Sequence, residues 1–169
     1  QTDLSFEGVD LSDLPGVLCD PRALQEAVAS VLDNALKFVH APQDEKDGER
    51  QPQVTVAIMG FRANETARTD NAIITHVDIL VHDNGPGFAD DEHELVFESG
   101  YRGAASRQRA STSNPKVVHV LDGSGLGLPD ARNLMRRMNG DVFVTRHETL
   151  PKLHLSTGST FVVIRIPRA

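Results

Sequence analysis

The hydrophobic period of this chain alternates between that of a helix and that of a strand, and this alternation limits the folds open to it. Apolar residues recur at Leu24, Val28, Val31, Leu32, Ala35 and Val39, close to the spacing of one helical face. Two stretches rich in β-branched residues follow, Val54 to Phe61 and Ile73 to Val81, and read as strands. A second helical pattern runs through Ala131, Leu134, Met135 and Met138, and two more strands close the chain, Val142 to Arg146 and Thr160 to Ile166. Leu4 to Val9 and Gly16 to Cys19 read as short strands joined by an Asp/Ser/Pro turn. The order predicts an α/β (α+β) two-layer sandwich, with a mixed sheet as one layer and helices as the other.

Punctuation residues support these elements. Asp20 is a good N-cap, and Pro21 suits the first helical position, where a missing N–H costs nothing. Gly140 is the expected stop of the second helix, and Pro167 ends the last strand. Ala41 to Pro52 reads as a polar surface loop and Arg62 to Asn71 as a hairpin loop. Phe88 to Asp122 is long and weakly periodic, with Gly and Ser clusters, and reads as a lid.

The 169 residues, 39% hydrophobic and 24% charged, suffice for one folded domain spanning 1–169. Apolar runs fall far short of the roughly 20 residues that cross a bilayer. The start at Gln1 rather than at a methionine reads as a fragment. A net charge of −7 makes the surface a poor nonspecific binder of nucleic acid or anionic lipid, so a phosphate ligand needs a local site and a metal. The single cysteine, Cys19, sits in an apolar stretch and reads as a core residue.

Four segments carry chemistry. In Asp33-Asn34-Ala35-Leu36-Lys37-Phe38, Asn34 and Lys37 lie one turn apart on a helix. A carboxamide oxygen ligates a hard cation such as Mg²⁺, and a lysine meets phosphate. In Asp83-Asn84-Gly85-Pro86-Gly87-Phe88, a tight turn after a strand lets the backbone approach a ligand, and the aspartate can accept from an exocyclic amine. In Val96 to Gly103, Phe97 and Tyr101 are candidates to anchor the lid on the core, while Arg102 offers a fork of donors to phosphate. In Gly123-Ser124-Gly125-Leu126-Gly127-Leu128-Pro129, glycines before a helix N-terminus form an anion site. The last segment fits neither a dinucleotide fingerprint, which needs a strand directly before it, nor a Walker A loop, which needs Gly-Lys-Ser or Gly-Lys-Thr. Taken singly, the first two segments also fit a solvated helix face and a plain surface turn.

In this order and spacing the four segments resemble the ATP-binding catalytic domain of two-component sensor histidine kinases, a branch of the superfamily that includes gyrase, Hsp90 and MutL. The resemblance runs from about Leu4 to Pro167 and includes Gly158-Ser159-Thr160-Phe161. It implies a Bergerat-type fold, in which a mixed, mostly antiparallel sheet packs against helices and a mobile ATP lid covers about 88–122. It implies that Asn34 holds Mg²⁺, Lys37 touches phosphate and Phe38 borders the nucleoside. Asp83 would recognise the adenine amino group with help from Thr160, while Gly85 and Gly87 leave room for the base. Arg102 would lie near the phosphates, and Gly123, Ser124, Gly125 and Gly127 would wrap the triphosphate with Leu126 and Leu128 closing over it.

The chain departs from the family pattern at three positions. Ser30 stands where the family often has an asparagine, Gly100 where the lid usually carries a second phenylalanine, and Pro129 inside the last glycine segment. Ser30 also takes the place of the glutamate that activates water in gyrase, Hsp90 and MutL, which favours a kinase over a self-contained ATPase. No metal-ligand spacing links His40, His76, His82, His93, His119, His147 and His154. His93-Glu94 and His147-Glu148 do not open a long amphipathic helix, so the phosphoacceptor and dimerisation helices are expected upstream, on a parent that dimerises and passes phosphate to a response regulator. The implied setting is cytoplasmic, or the cytoplasmic face of a membrane-bound parent. Two rivals stand beside this reading: a protein serine kinase of the anti-sigma or mitochondrial type, and a non-catalytic nucleotide sensor.

Overall fold

The computed structural model describes residues 3–8, 12, 14–39, 51–62, 74–103, 125–146 and 160–169. In chain order the elements are β1 (Asp3–Gly8), α1 (Pro21–Phe38), β2 (Gln53–Arg62), β3 (Ile74–Asp83), α2 (Gly127–Arg136), β4 (Asp141–Arg146) and β5 (Thr160–Pro167). Two short 3₁₀ turns, Asp90–Glu92 and Leu95–Phe97, lie between β3 and α2. Asp20 caps α1 as its sequence predicts, accepting from the N–H groups of Arg22 at 2.8 Å and Ala23 at 3.4 Å.

The strands form one five-stranded sheet in the order β1-β2-β3-β5-β4, with β1 parallel to β2 and every other pair antiparallel. Register lines up two apolar rows on the face toward the helices: Val56, Val81, Val162 and Val144 in one, Ile58, Ile79, Ile164 and Val142 in the next. β-branched residues fill both rows, which suits a pleated, packed surface. Against them α1 sets Ala27, Val31 and Ala35, and α2 sets Leu128, Ala131 and Met135, all buried. Cys19 packs at the edge of this core, half-buried.

The second face of the sheet is also covered. Ala57, Leu80, Phe161 and Val163 are each 1% exposed there, so β5 reads as an unbroken apolar run rather than an alternating one. Within this layer Asp78, 2% exposed, takes a forked pair of bonds from Arg165 opposite it on β5, at 3.0 and 2.8 Å. Phe143 lies under the Arg165 guanidinium, 4.8 Å from the ring centroid.

The structure moves several expected boundaries. Gly16 to Cys19 is no strand: Val17 makes a single antiparallel bridge to Arg168, beside a bond from the Ala169 N–H to the Gly16 carbonyl. Pro15, without an N–H, cannot extend that ladder. At the end of α2 the left-handed residue is Asn139 (φ 58°), not Gly140. Gly140 meets a different need, since a Cβ there would lie 2.3 Å from the Arg165 carbonyl oxygen. The first part of the expected lid, 88–103, folds into the two 3₁₀ turns, with Val96 buried and Phe88, Phe97 and Tyr101 packed on the core. Phe97 and Tyr101 are the anchors the sequence suggested. The remaining lid, most of the 41–52 and 62–71 loops, and His40, His119, His147 and His154 lie outside the described residues.

Candidate functional site

The C-terminal half of α1, the 88–103 segment and the start of α2 converge on one cavity. Lys37 and Phe38 line it from α1, Phe88, Val96, Tyr101, Arg102 and Gly103 from the segment after β3, and Gly125, Gly127, Leu128 and Pro129 from the start of α2. Three of the four segments singled out in sequence thus contribute expected site residues to the wall itself.

The second segment lies beside this cavity: Phe88 lines the wall, and Gly85 packs on the Phe38 carbonyl. The Asp83 carboxylate is oriented by the Gly85 N–H, which donates to its Oδ1 at 2.9 Å. A Cβ on Gly85 would lie 2.4 Å from that oxygen and 2.7 Å from the Phe38 carbonyl oxygen, so only glycine fits between the two segments. Gly87 has φ +65°, and a Cβ there would lie 2.9 Å from Thr160 Oγ1. Thr160, distant in sequence, therefore stands against the turn that carries Asp83.

The turn and its partner strand are held by residues whose role is not legible as a motif. Asn84 Oδ1 accepts from the Gln53 N–H and its Nδ2 donates to the Gln51 carbonyl, both at 2.9 Å, tying the turn to the start of β2. His82 Nδ1 lies 3.0 Å from the Thr160 carbonyl oxygen. That oxygen only accepts, so the ring carries its proton on Nδ1. His82 also tilts against Phe161, with centroids 5.3 Å apart, and so fixes the start of β5.

Gly127 opens α2 without a side-chain cap, leaving first-turn N–H groups to a ligand. Gly125 has φ +69° and receives the returning limb of the 88–103 segment: the Gly100 N–H donates to its carbonyl at 3.1 Å. Gly100 itself has φ +81°, a conformation that penalises the phenylalanine usual in the resembling family. Leu128 is both core and wall, whereas Leu126 is 44% exposed and does not line the cavity. Gly123 and Ser124 lie outside the described residues.

On α1, Ser30, Asn34 and Lys37 fall along one stripe, and Ser30 Cβ faces Gly127 at 4.0 Å from where a Cβ would stand. Asn34 is half-buried on this stripe but is not part of the cavity wall. Lys37 forms an ion pair with Asp33, one turn back. Among the described residues no three His, Cys, Asp or Glu side chains cluster to hold a metal.

Behind the site, Arg132 of α2 braces the segment after β3. Its guanidinium sits 4.4 Å from the Phe97 ring centroid and bonds Glu94 at 2.8 Å and Asp141 at 3.1 Å. Burial alone would raise the Asp141 carboxyl, but hydrogen bonds from Arg136 and Arg132 outweigh it and hold the group below the usual carboxylate range. The Arg132 bond likewise lowers Glu94.

The family described as histidine kinase-, DNA gyrase B-, and HSP90-like ATPase matches residues 19–169. A chloroplast sensor kinase of the diatom Phaeodactylum tricornutum is 37% identical over 97 residues, which is 57% of this chain and 16% of that protein. The adaptive-response sensory kinase SasA of Synechocystis is 26% identical over 153 residues, 90% of this chain and 31% of that protein. The chain thus spans less than a third of the length of these curated relatives. Among solved structures, the mycobacterial sensor histidine kinase MprB superposes with a TM-score of 0.59 at 23% identity, covering 98% of this chain and 83% of that one. This last likeness concerns the fold.

Proposed function

Because this chain belongs to the histidine kinase-, DNA gyrase B- and HSP90-like ATPase family, we propose that it is the Mg-ATP-binding kinase domain of a sensor kinase, delivering a γ-phosphoryl group to a histidine on a separate helical domain. The observation that carries this reading is the cavity walled by Lys37, Phe38, Arg102, Gly125 and Gly127, with the Asp83 carboxylate oriented beside Phe38. In it Asp83 accepts from the adenine amino group, and Thr160 supports the base beside Gly87. Asn34 supplies one oxygen to Mg²⁺, which when bound offsets phosphate charge. Lys37 and Arg102 neutralise the phosphates, and backbone N–H groups from 123–127 cradle them.

Phosphoryl transfer asks mainly for positioning and charge stabilisation, so the nucleophile can arrive on another domain. Ser30, where water-activating relatives carry a glutamate, supplies no carboxylate base. That favours transfer to a partner over hydrolysis. The parent would dimerise through its phosphoacceptor helices, act at the cytoplasmic side and pass phosphate to a response regulator. Among the described residues no helix is long and apolar enough to cross a membrane.

The Asp83→Asn variant tests the pocket. Loss of a charge-assisted hydrogen bond should weaken Mg-ATP binding by about ten- to a hundredfold, measured by calorimetric titration; unchanged affinity would sink the adenine assignment. Labelled phosphate from ATP appearing on a histidine of the parent's upstream region separates this reading from a serine kinase, which labels serine, and from a sensor, which labels nothing.

A further inference from the structure

We infer that Glu92 is a positioning residue for this site, fixing the path by which residues 101–103, and with them Arg102, enter the cavity wall. The inference rests on the nucleotide-site reading above and adds to it a residue outside the four segments.

Glu92 closes the first 3₁₀ turn and is 6% exposed, one of three buried polar or charged residues among those described. A buried carboxylate is costly unless its oxygens are satisfied. Here Oε2 accepts from the Ala89 N–H at 3.2 Å, and Oε1 accepts from the Tyr101 hydroxyl at 3.1 Å. Gly103 lies over the same group, where a Cβ would stand 3.1 Å from Oε1. Three points of one excursion, at 89, 101 and 103, thus meet on a single side chain. A hydrophobic residue would fill the volume but would direct neither bond; the carboxylate specifies the angle of approach.

The returning limb is held from its other side as well. The Gly100 N–H donates to the Gly125 carbonyl at 3.1 Å, and a Cβ on Gly125 would lie 3.0 Å from the Tyr101 carbonyl oxygen. Residues 100–103 therefore run between the Glu92 carboxylate and the glycine segment that opens α2. Arg102 sits in the middle of that limb, flanked by Tyr101 and Gly103, all three in the cavity wall. Phe88 and Val96, which also line the cavity, stand on either side of the Ala89–Glu92 turn. Glu92 thus ties the base end of the wall to the phosphate end without itself lining the cavity.

The test compares the unaltered chain with Glu92→Gln and Tyr101→Phe, titrating each with Mg-ATP and with adenosine. Both variants should weaken Mg-ATP about three- to tenfold while leaving adenosine within about twofold, since only the phosphate end is displaced. The double variant should lose less than the sum of the single losses, because the Tyr101–Glu92 bond is common to both. Amide exchange at 100–103 should quicken in both variants with no ligand present. Unchanged Mg-ATP affinity in Tyr101→Phe, or equal losses for ATP and adenosine, would overturn the inference and leave the nucleotide reading standing. Failure of the unaltered chain to bind any adenine nucleotide overturns that reading, while unchanged exchange at 100–103 independently overturns the role of Glu92.

Discussion

Asp78 shows how much one residue can depend on its partner in this sheet. Its carboxylate is 2% exposed and faces Arg165 across the β3–β5 ladder, with His76 Nε2 3.8 Å away. Burial lowers the His76 imidazole, against a smaller opposing pull from Asp78, so its neutral form is favoured beside the pair. The Arg165→Met substitution strands the buried charge and should cost about 3 kcal/mol, at the lower end for a buried pair because Arg165 is partly exposed. Adding Asp78→Asn should restore part of that loss in urea melts; a cost below about 0.5 kcal/mol for the single change would show that the pair is solvated. Motif reading does not reach such pairings. Asp78 and Arg165 are 87 positions apart, and His82 and Thr160 are 78 apart, so only the folded sheet makes them neighbours.

At the scale of elements, α1 was legible almost to the residue, because its signals are local: the Asp20 side chain bonds N–H groups two and three residues on. α2 was legible in its apolar face but not at its end, where Asn139 takes the left-handed turn and Gly140 yields to β5. What joins α2 to β4 is the bonding of Arg132 and Arg136 to Asp141. The Asp141 carboxyl lies below its ordinary range in the folded chain. Its stabilisation is therefore complete above the unfolded carboxylate value and is lost as pH falls through the folded one. Urea melts from about pH 6 to about pH 3 should show Asp141→Asn less stable than the unaltered chain at the upper end, with the gap closing toward the lower. A gap that persists at low pH would mean that the ionised carboxylate is not what joins the helix to the strand.

The whole molecule gathers Lys37, Phe38, Arg102 and the start of α2 around one cavity, with the Asp83 carboxylate held beside Phe38, so on the proposed reading a nucleotide that spans these groups should stabilise the fold. Mg-ATP at about 100 times its dissociation constant should add about 2.7 kcal/mol and raise the melting temperature, while adenosine at equal concentration should add less. No shift with Mg-ATP would contradict the proposed site. By itself the sequence determined the two helical faces, the β-branched strands and the four segments, because periodicity, capping and tight turns depend on neighbours a few residues away. The tertiary structure alone decided the strand order β1-β2-β3-β5-β4, the covered second face of the sheet and the roles of Asn84, His82 and Glu92. Those depend on backbone and side-chain groups that meet only after long loops close, and register across the sheet, not spacing along the chain, sets which groups meet.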